Sequence, residues 1–85
     1  MDTVRGMDYS LETGQLTTEV FILKNLLQWK KLSVNIGGNF EKAAATVGWD
    51  LDLPITLHGG VTESWKELND WTKKPGIFIG FEMRF

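Results

Sequence analysis

Period-two alternation of apolar and polar residues runs through most of this chain. Met7, Tyr9 and Leu11 alternate with Asp8, Ser10 and Glu12, the pattern of a strand with two unlike faces. Thr13-Gly14 follows as a turn signal. Leu16, Thr18, Val20 and Ile22 then alternate with Gln15, Thr17, Glu19 and Phe21. A two-residue loop at Thr13-Gly14 pairs Leu11 with Leu16, Tyr9 with Thr18 and Met7 with Val20, which keeps the apolar positions on one face. Phe21 is the exception, an aromatic on the polar side. Around Lys24 to Gln28 the alternation lapses, and Leu26, Leu27 and Trp29 read as a short helical turn or an apolar loop tip.

Alternation resumes with Leu32, Val34, Ile36, Gly38 and Phe40 against Ser33, Asn35, Gly37 and Asn39. A turn at Glu41-Lys42 pairs Phe40 with Ala43, Ile36 with Val47 and Val34 with Trp49. Val47, Trp49, Leu51, Leu53, Ile55 and Leu57 keep one parity through Pro54. Proline cannot donate to a strand ladder, so this stretch reads as a hairpin with an odd loop, Leu53-Pro54-Ile55. That loop sets Leu51 opposite Leu57 and Asp50 opposite His58. Ser64 and Glu67 then have capping-box spacing, and Trp65, Leu68 and Trp71 share a helical face. One short helix, or a structured loop, is expected near residues 64–72. The last strand is expected from Ile77 to Phe85, with Ile77, Ile79, Phe81, Met83 and Phe85 on one face. Phe78 falls on the other face with Gly80, Glu82 and Arg84.

The expected fold is a single all-β domain over residues 1–85. It is an antiparallel up-and-down meander of about six strands that forms, or contributes to, a β-barrel. Its two faces differ sharply. Leu32, Val34, Ile36, Val47, Trp49, Leu51, Ile79, Phe81, Met83 and Phe85 share the apolar face; Ser33, Asn35, Thr46, Asp50, Thr56 and Thr62 share the polar one. In water the apolar face makes the core of a sandwich or small barrel. In an outer membrane it meets lipid and the polar face lines the interior. Alternation alone favours the soluble setting, since soluble sheets are the more abundant.

Composition narrows the choice little. The chain has 85 residues and no cysteine, so neither a disulfide nor a thiolate metal site supports what is a small core. That points to help from other copies, a larger assembly or a bilayer. A net charge of −2 with scattered basic residues gives no reason to expect a nucleic-acid partner. The first fifteen residues hold no apolar run of a secretory leader, and no stretch approaches a membrane helix.

Four tryptophans are many for this length. Trp29, Trp65 and Trp71 lie at or beyond strand ends, where interfacial anchors sit; filling a thin core is the other use of such side chains. His58 with Asp50 and Asp52 has the chemistry of a metal or acid–base set but no spacing signature, and a polar sheet face explains it better. Glu63, Glu67 and Asp70 are expected to be solvated. Gly37-Gly38 and Gly59-Gly60 precede no helix with phosphate-loop spacing and suit curvature or bulges. No nucleophile–base order stands out. No catalytic, metal or cofactor residues are assigned, and the chain is expected not to be an enzyme.

The ending Gly80-Phe81-Glu82-Met83-Arg84-Phe85 resembles the closing strand of bacterial outer-membrane β-barrel proteins. That family commonly ends in phenylalanine, with alternating apolar residues upstream and a glycine five residues before the end. The resemblance covers about the last nine residues, and Phe78 departs from it, since the family usually has a polar residue there. It implies a non-enzymatic barrel of outer-membrane character, recognised through this strand by the barrel-assembly machinery. Phe81, Met83 and Phe85 would then face lipid, and the outer membrane would be the destination if the chain is exported. About six strands are fewer than the eight of the smallest single-chain barrels. This leaves room for a homo-oligomer in which several chains complete one membrane barrel or pore. A structural component of a virion or tail is the alternative expectation, and a small soluble barrel holding an apolar ligand is the second.

Overall fold

Alternating strands joined by short turns pair with their neighbours in chain order, and here the series runs far enough for the last strand to meet the first. The computed structural model describes residues 2–67 and 74–83. Its strands are β1 (Asp2–Ser10), β2 (Leu16–Trp29), β3 (Leu32–Gly38), β4 (Lys42–Leu53), β5 (Ile55–Ser64) and β6 (Gly76–Met83). Every neighbouring pair is antiparallel, and β6 pairs with β1 from Arg5↔Phe81 to Ser10↔Gly76, closing the barrel within one chain. Closure satisfies both edges without a second copy, so the strand-sharing arrangement is not needed to complete this ring. The molecule measures 38 × 22 × 18 Å.

The two ends differ. One end holds the start of β1, the end of β6 and two tight turns, Lys30-Lys31 and Pro54. Lys30 takes φ +54° there, the left-handed conformation that two-residue hairpins use. The other end carries the longer connections, residues 11–15, 39–41 and 65–75.

The predicted faces survive although several registers shift. In the first hairpin Tyr9 pairs with Leu16 and Met7 with Thr18, two residues from the expected register. The loop is longer than Thr13-Gly14 because the Ser10 N–H donates to Gln15 O and the Gly14 N–H to Ser10 O, with Gly14 at φ +72°. In the β3–β4 hairpin Val34 pairs with Val47 and Ile36 with Ala45. Here the Asn39 side chain accepts hydrogen bonds from the N–H groups of Glu41 and Lys42, both at 2.9 Å. The turn therefore starts at Asn39 and leaves Phe40 exposed at its tip instead of paired with Ala43. A slip of two preserves side-chain parity, which is why the faces were readable and the pairs were not.

Residues 24–28 are neither helical turn nor loop. β2 runs through them with a bulge between Asn25 and Leu27, and that extra residue breaks the alternation. At Pro54 the expected hairpin forms, with Leu53 opposite Ile55. A second bulge then sets Asp50 opposite Thr56 and Gly48 opposite His58, with Asp52 at φ +64°. The described part of the expected helix is a single 3-10 turn, Trp65–Glu67, because β5 continues through Ser64. The rest of that stretch, with Leu68, Asp70 and Trp71, lies outside the described residues, as do Arg84 and Phe85.

A six-stranded ring must turn sharply at its seams, and glycine makes that possible. A Cβ on Gly6 would overlap Ile79 O across the β1–β6 seam, and one on Gly60 would overlap Ala45 O across the β4–β5 seam. Gly37 stands in the same relation to Ile22 O across β2–β3, and Gly38 to Lys42 O across β3–β4. By contrast, a Cβ on Gly59 meets nothing within 4 Å. We expect Gly6→Val to lower stability by about 3 kcal/mol or more through overpacking against backbone. Gly59→Ala should stay within about 1 kcal/mol of wild type. Urea unfolding followed by tryptophan fluorescence checks both, and equal midpoints would refute the seam argument.

Candidate functional site

Strand parity decides what enters the bore. Val4 of β1, Phe21 and Leu23 of β2 and Phe78 of β6 point inward and are fully buried, with Ala44 of β4 beside them. The rings of Phe21 and Phe78 meet edge to face, centroids 4.8 Å apart and planes at 82°, a favoured aromatic geometry. These side chains plug the middle of the barrel. They are also the two aromatics that break the alternation in the sequence. Gly80 makes room for them, since a Cβ there would press on the Phe78 ring.

Polar networks lie on either side of this plug. Toward the long-loop end, Lys42 Nζ donates to Asp8 Oδ2 at 2.7 Å and to Glu19 Oε1 at 3.1 Å. Thr62 Oγ1 donates to the other Asp8 oxygen at 2.7 Å. One lysine thus ties β4 to β1 and β2 across the bore. Asp8 is only 2% exposed, so its charge is sustained by that lysine and hydroxyl. Asp8, Lys42 and Thr62 line an open vestibule of about 330 Å³ together with Ser10, Thr13, Gln15 and Lys74.

Toward the end with the termini, His58 Nδ1 lies 3.0 Å from Thr46 Oγ1, and its Nε2 lies 3.3 Å from Glu82 Oε1. Asn35 Nδ2 reaches Ser33 Oγ at 3.1 Å and Thr46 Oγ1 at 3.5 Å, while its Oδ1 accepts from Asn25 Nδ2 at 3.1 Å. The series Glu82, His58, Thr46, Asn35, Asn25 links β6, β5, β4, β3 and β2 in order. Thr56 Oγ1 is buried without a hydrogen-bond partner.

The outside is the reverse. Val34, Ile36, Val47, Trp49, Leu51, Ile79, Phe81 and Met83 are all exposed, and Leu32 is half-buried. Val47 keeps 52% of its surface exposed and Ile79 59%, whereas their strand neighbours Thr46 and Phe78 are shut away. Met7, Tyr9, Leu16, Val20, Ile22, Leu27 and Val61 extend this surface round the ring. Trp29 is exposed at the end of β2 with Lys30 Nζ 5.0 Å from its ring centroid. At the opposite end Trp65 is exposed, and its Nε1 donates to Asn39 O at 2.6 Å. Phe85 and Trp71 lie outside the described residues.

The polar-face residues Ser33, Asn35, Thr46, Thr56 and Thr62 are buried together as one interior. The structure does not assemble His58 with both aspartates. Asp52 is exposed at the β4 bulge and pairs with Lys31, and His58 is engaged by Thr46 and Glu82. Among the described residues there is no cluster of three metal-type ligands. Glu63 lies half-buried on β5 rather than on a solvated helix. The Lys42 bridge and the aromatic plug were not anticipated. Both had a signal: Asp8, Glu19, Lys42 and Glu82 share the inward parity, and Phe21 and Phe78 are exceptions of the same kind.

No family model, curated protein or solved structure matches this chain. Two substitutions test the interior. Lys42→Met strands buried Asp8 and should cost about 3 kcal/mol. Thr56→Val removes a hydroxyl that has no partner and should be neutral or stabilising. Denaturation midpoints in the opposite order would show that the interior is paired differently.

Proposed function

We propose that this chain is a non-enzymatic β-barrel of outer-membrane type that crosses a lipid bilayer with its strands. The observation that carries the reading is the inversion of polarity. Asp8, Asn35, His58 and Glu82 are buried within the ring while Val47, Trp49, Ile79, Phe81 and Met83 are exposed outside it. Water gives no reason for that arrangement, since apolar surface is driven from it. In hydrocarbon it is the favourable one, and closure leaves no strand edge there unpaired. No helix among the described residues is long and apolar enough to cross a membrane, so the strands would do the crossing.

Two further features support the reading. Tight turns and both strand termini share one end while longer connections share the other, as in outer-membrane barrels. Exposed Trp29 and Trp65 stand at opposite ends of the strands, where interfacial aromatics belong. The final strand adds its likeness to the closing strand of that family. The bore is filled by Val4, Phe21, Leu23 and Phe78, which favours a membrane-embedded structural element over a conducting pore. It also disfavours an apolar ligand in the interior.

Light scattering with and without detergent tests this. The chain should be monodisperse and β-rich in detergent micelles and should aggregate when detergent is removed without lipid. A monodisperse monomer in plain buffer would sink the membrane reading. Recovery in a purified particle free of membrane would favour the structural-assembly alternative, with protein covering the same apolar face.

A further inference from the structure

Within its described middle, the apolar exterior carries two cations. Arg5 of β1 and Lys24 of β2 are both exposed on outward parity. Arg5 sits opposite Val20 on one side and Phe81 on the other, so it borders the outward stripe Ile77, Ile79, Phe81, Met83 rather than its end. Lys24 lies opposite Ile36, and on its own strand it falls between Ile22 and Leu27. Both cations are therefore within the apolar belt, not at its rim. Among the described residues neither makes a salt bridge: those present are Lys31–Asp52, Lys42–Asp8, Lys42–Glu19 and His58–Glu82.

A lipid-facing cation is destabilising in proportion to its depth, so on the membrane reading, on which this inference rests, two unpaired ones need a counter-charge. A lipid phosphate sits at the bilayer surface, outside the belt. A second copy brings no free carboxylate to this depth among the described residues: Asp8, Glu19, Asp50 and Glu82 have inward parity, Asp52 is held by Lys31 at the turn, and Glu63, outward on β5, stands next to the long-loop end and is already engaged. We infer that the outer face of the β1–β2 pair, centred on Arg5 and Lys24, is the docking surface for a different membrane-embedded protein that presents a carboxylate toward lipid. The charge pair would give that contact its specificity, since the rest of the described barrel exterior is mostly apolar.

The full chain in phosphatidylcholine vesicles at neutral to basic pH, mixed with a tryptophan-free polyleucine transmembrane peptide carrying one central Glu, tests this. Energy transfer from the barrel tryptophans to a dye on the peptide reads association. The Glu peptide should associate about tenfold more tightly than its Gln counterpart. The double variant Arg5→Leu, Lys24→Leu should erase that difference while keeping the blue-shifted emission of an inserted chain. Equal association of the Glu and Gln peptides with an inserted wild-type chain overturns this inference alone. So does tryptophan quenching by brominated phosphatidylglycerol that exceeds quenching by brominated phosphatidylcholine and is lost in the double variant, which assigns the cations to lipid phosphate. A chain that stays out of the bilayer overturns the membrane reading and this inference together.

Discussion

A ring of six strands has a bore that only a few side chains can fill, and everything in this structure follows from what must fit there. Barrels of eight strands already have interiors just wide enough for packed side chains. With six, inward positions divide between glycine, small hydroxyl residues and a few larger groups in mutual contact. Phe21 and Phe78 take up the centre in an edge-to-face pair. Gly6, Gly37, Gly38 and Gly60 let neighbouring strands approach closely at their seams. The larger polar side chains are admitted because each finds a partner across or around the bore, as Lys42 does with Asp8 and Glu19 and His58 does with Thr46 and Glu82.

The same constraint sends the apolar residues out. A bore this narrow has no room for Trp49, Phe81, Met83 or the many branched residues that alternate with the interior set. A soluble protein would have to cover them with further layers of structure. Here the closed ring presents them directly. The interior is held by hydrogen bonds and ion pairs, which gain strength where water is excluded and are costly if broken. Stability and outward polarity are thus set by one choice of parity, repeated in every strand.

Much of this was legible in the chain. Period-two alternation located β1, β3, β4 and β6 and placed Val34, Val47 and Ile79 on a face opposite Asn35, Thr46 and Phe78. Which face was inside was not legible, because alternation is symmetric: the same string describes a soluble core or an inverted barrel. Pairing was wrong by two residues in three hairpins: in the first two because Ser10 and Asn39 start their turns earlier than the glycine and charge signals suggest, and in the third because of the bulge before Pro54. The bulge at Asn25–Leu27 hid the continuity of β2, since its extra residue breaks the period, and the bulge at Asp50–Leu53 moved the β4–β5 register without touching the alternation. The aromatic plug was visible only as two separate anomalies, Phe21 and Phe78. Their meeting depends on β6 returning to β1, a contact that no local pattern encodes.

The central claim is that the apolar face meets lipid. The chain has no native cysteine, so spin labels at single introduced cysteines report each position cleanly. In lipid vesicles, labels at Val47→Cys, Ile79→Cys and Phe81→Cys should collide readily with dissolved oxygen and poorly with a water-soluble nickel complex. Labels at the intervening positions Thr46→Cys and Gly80→Cys should be shielded from both or should disrupt the fold. Oxygen accessibility that alternates along β4 and β6 is the predicted result. Nickel accessibility at Val47, Ile79 and Phe81, with no alternation toward oxygen, would contradict it.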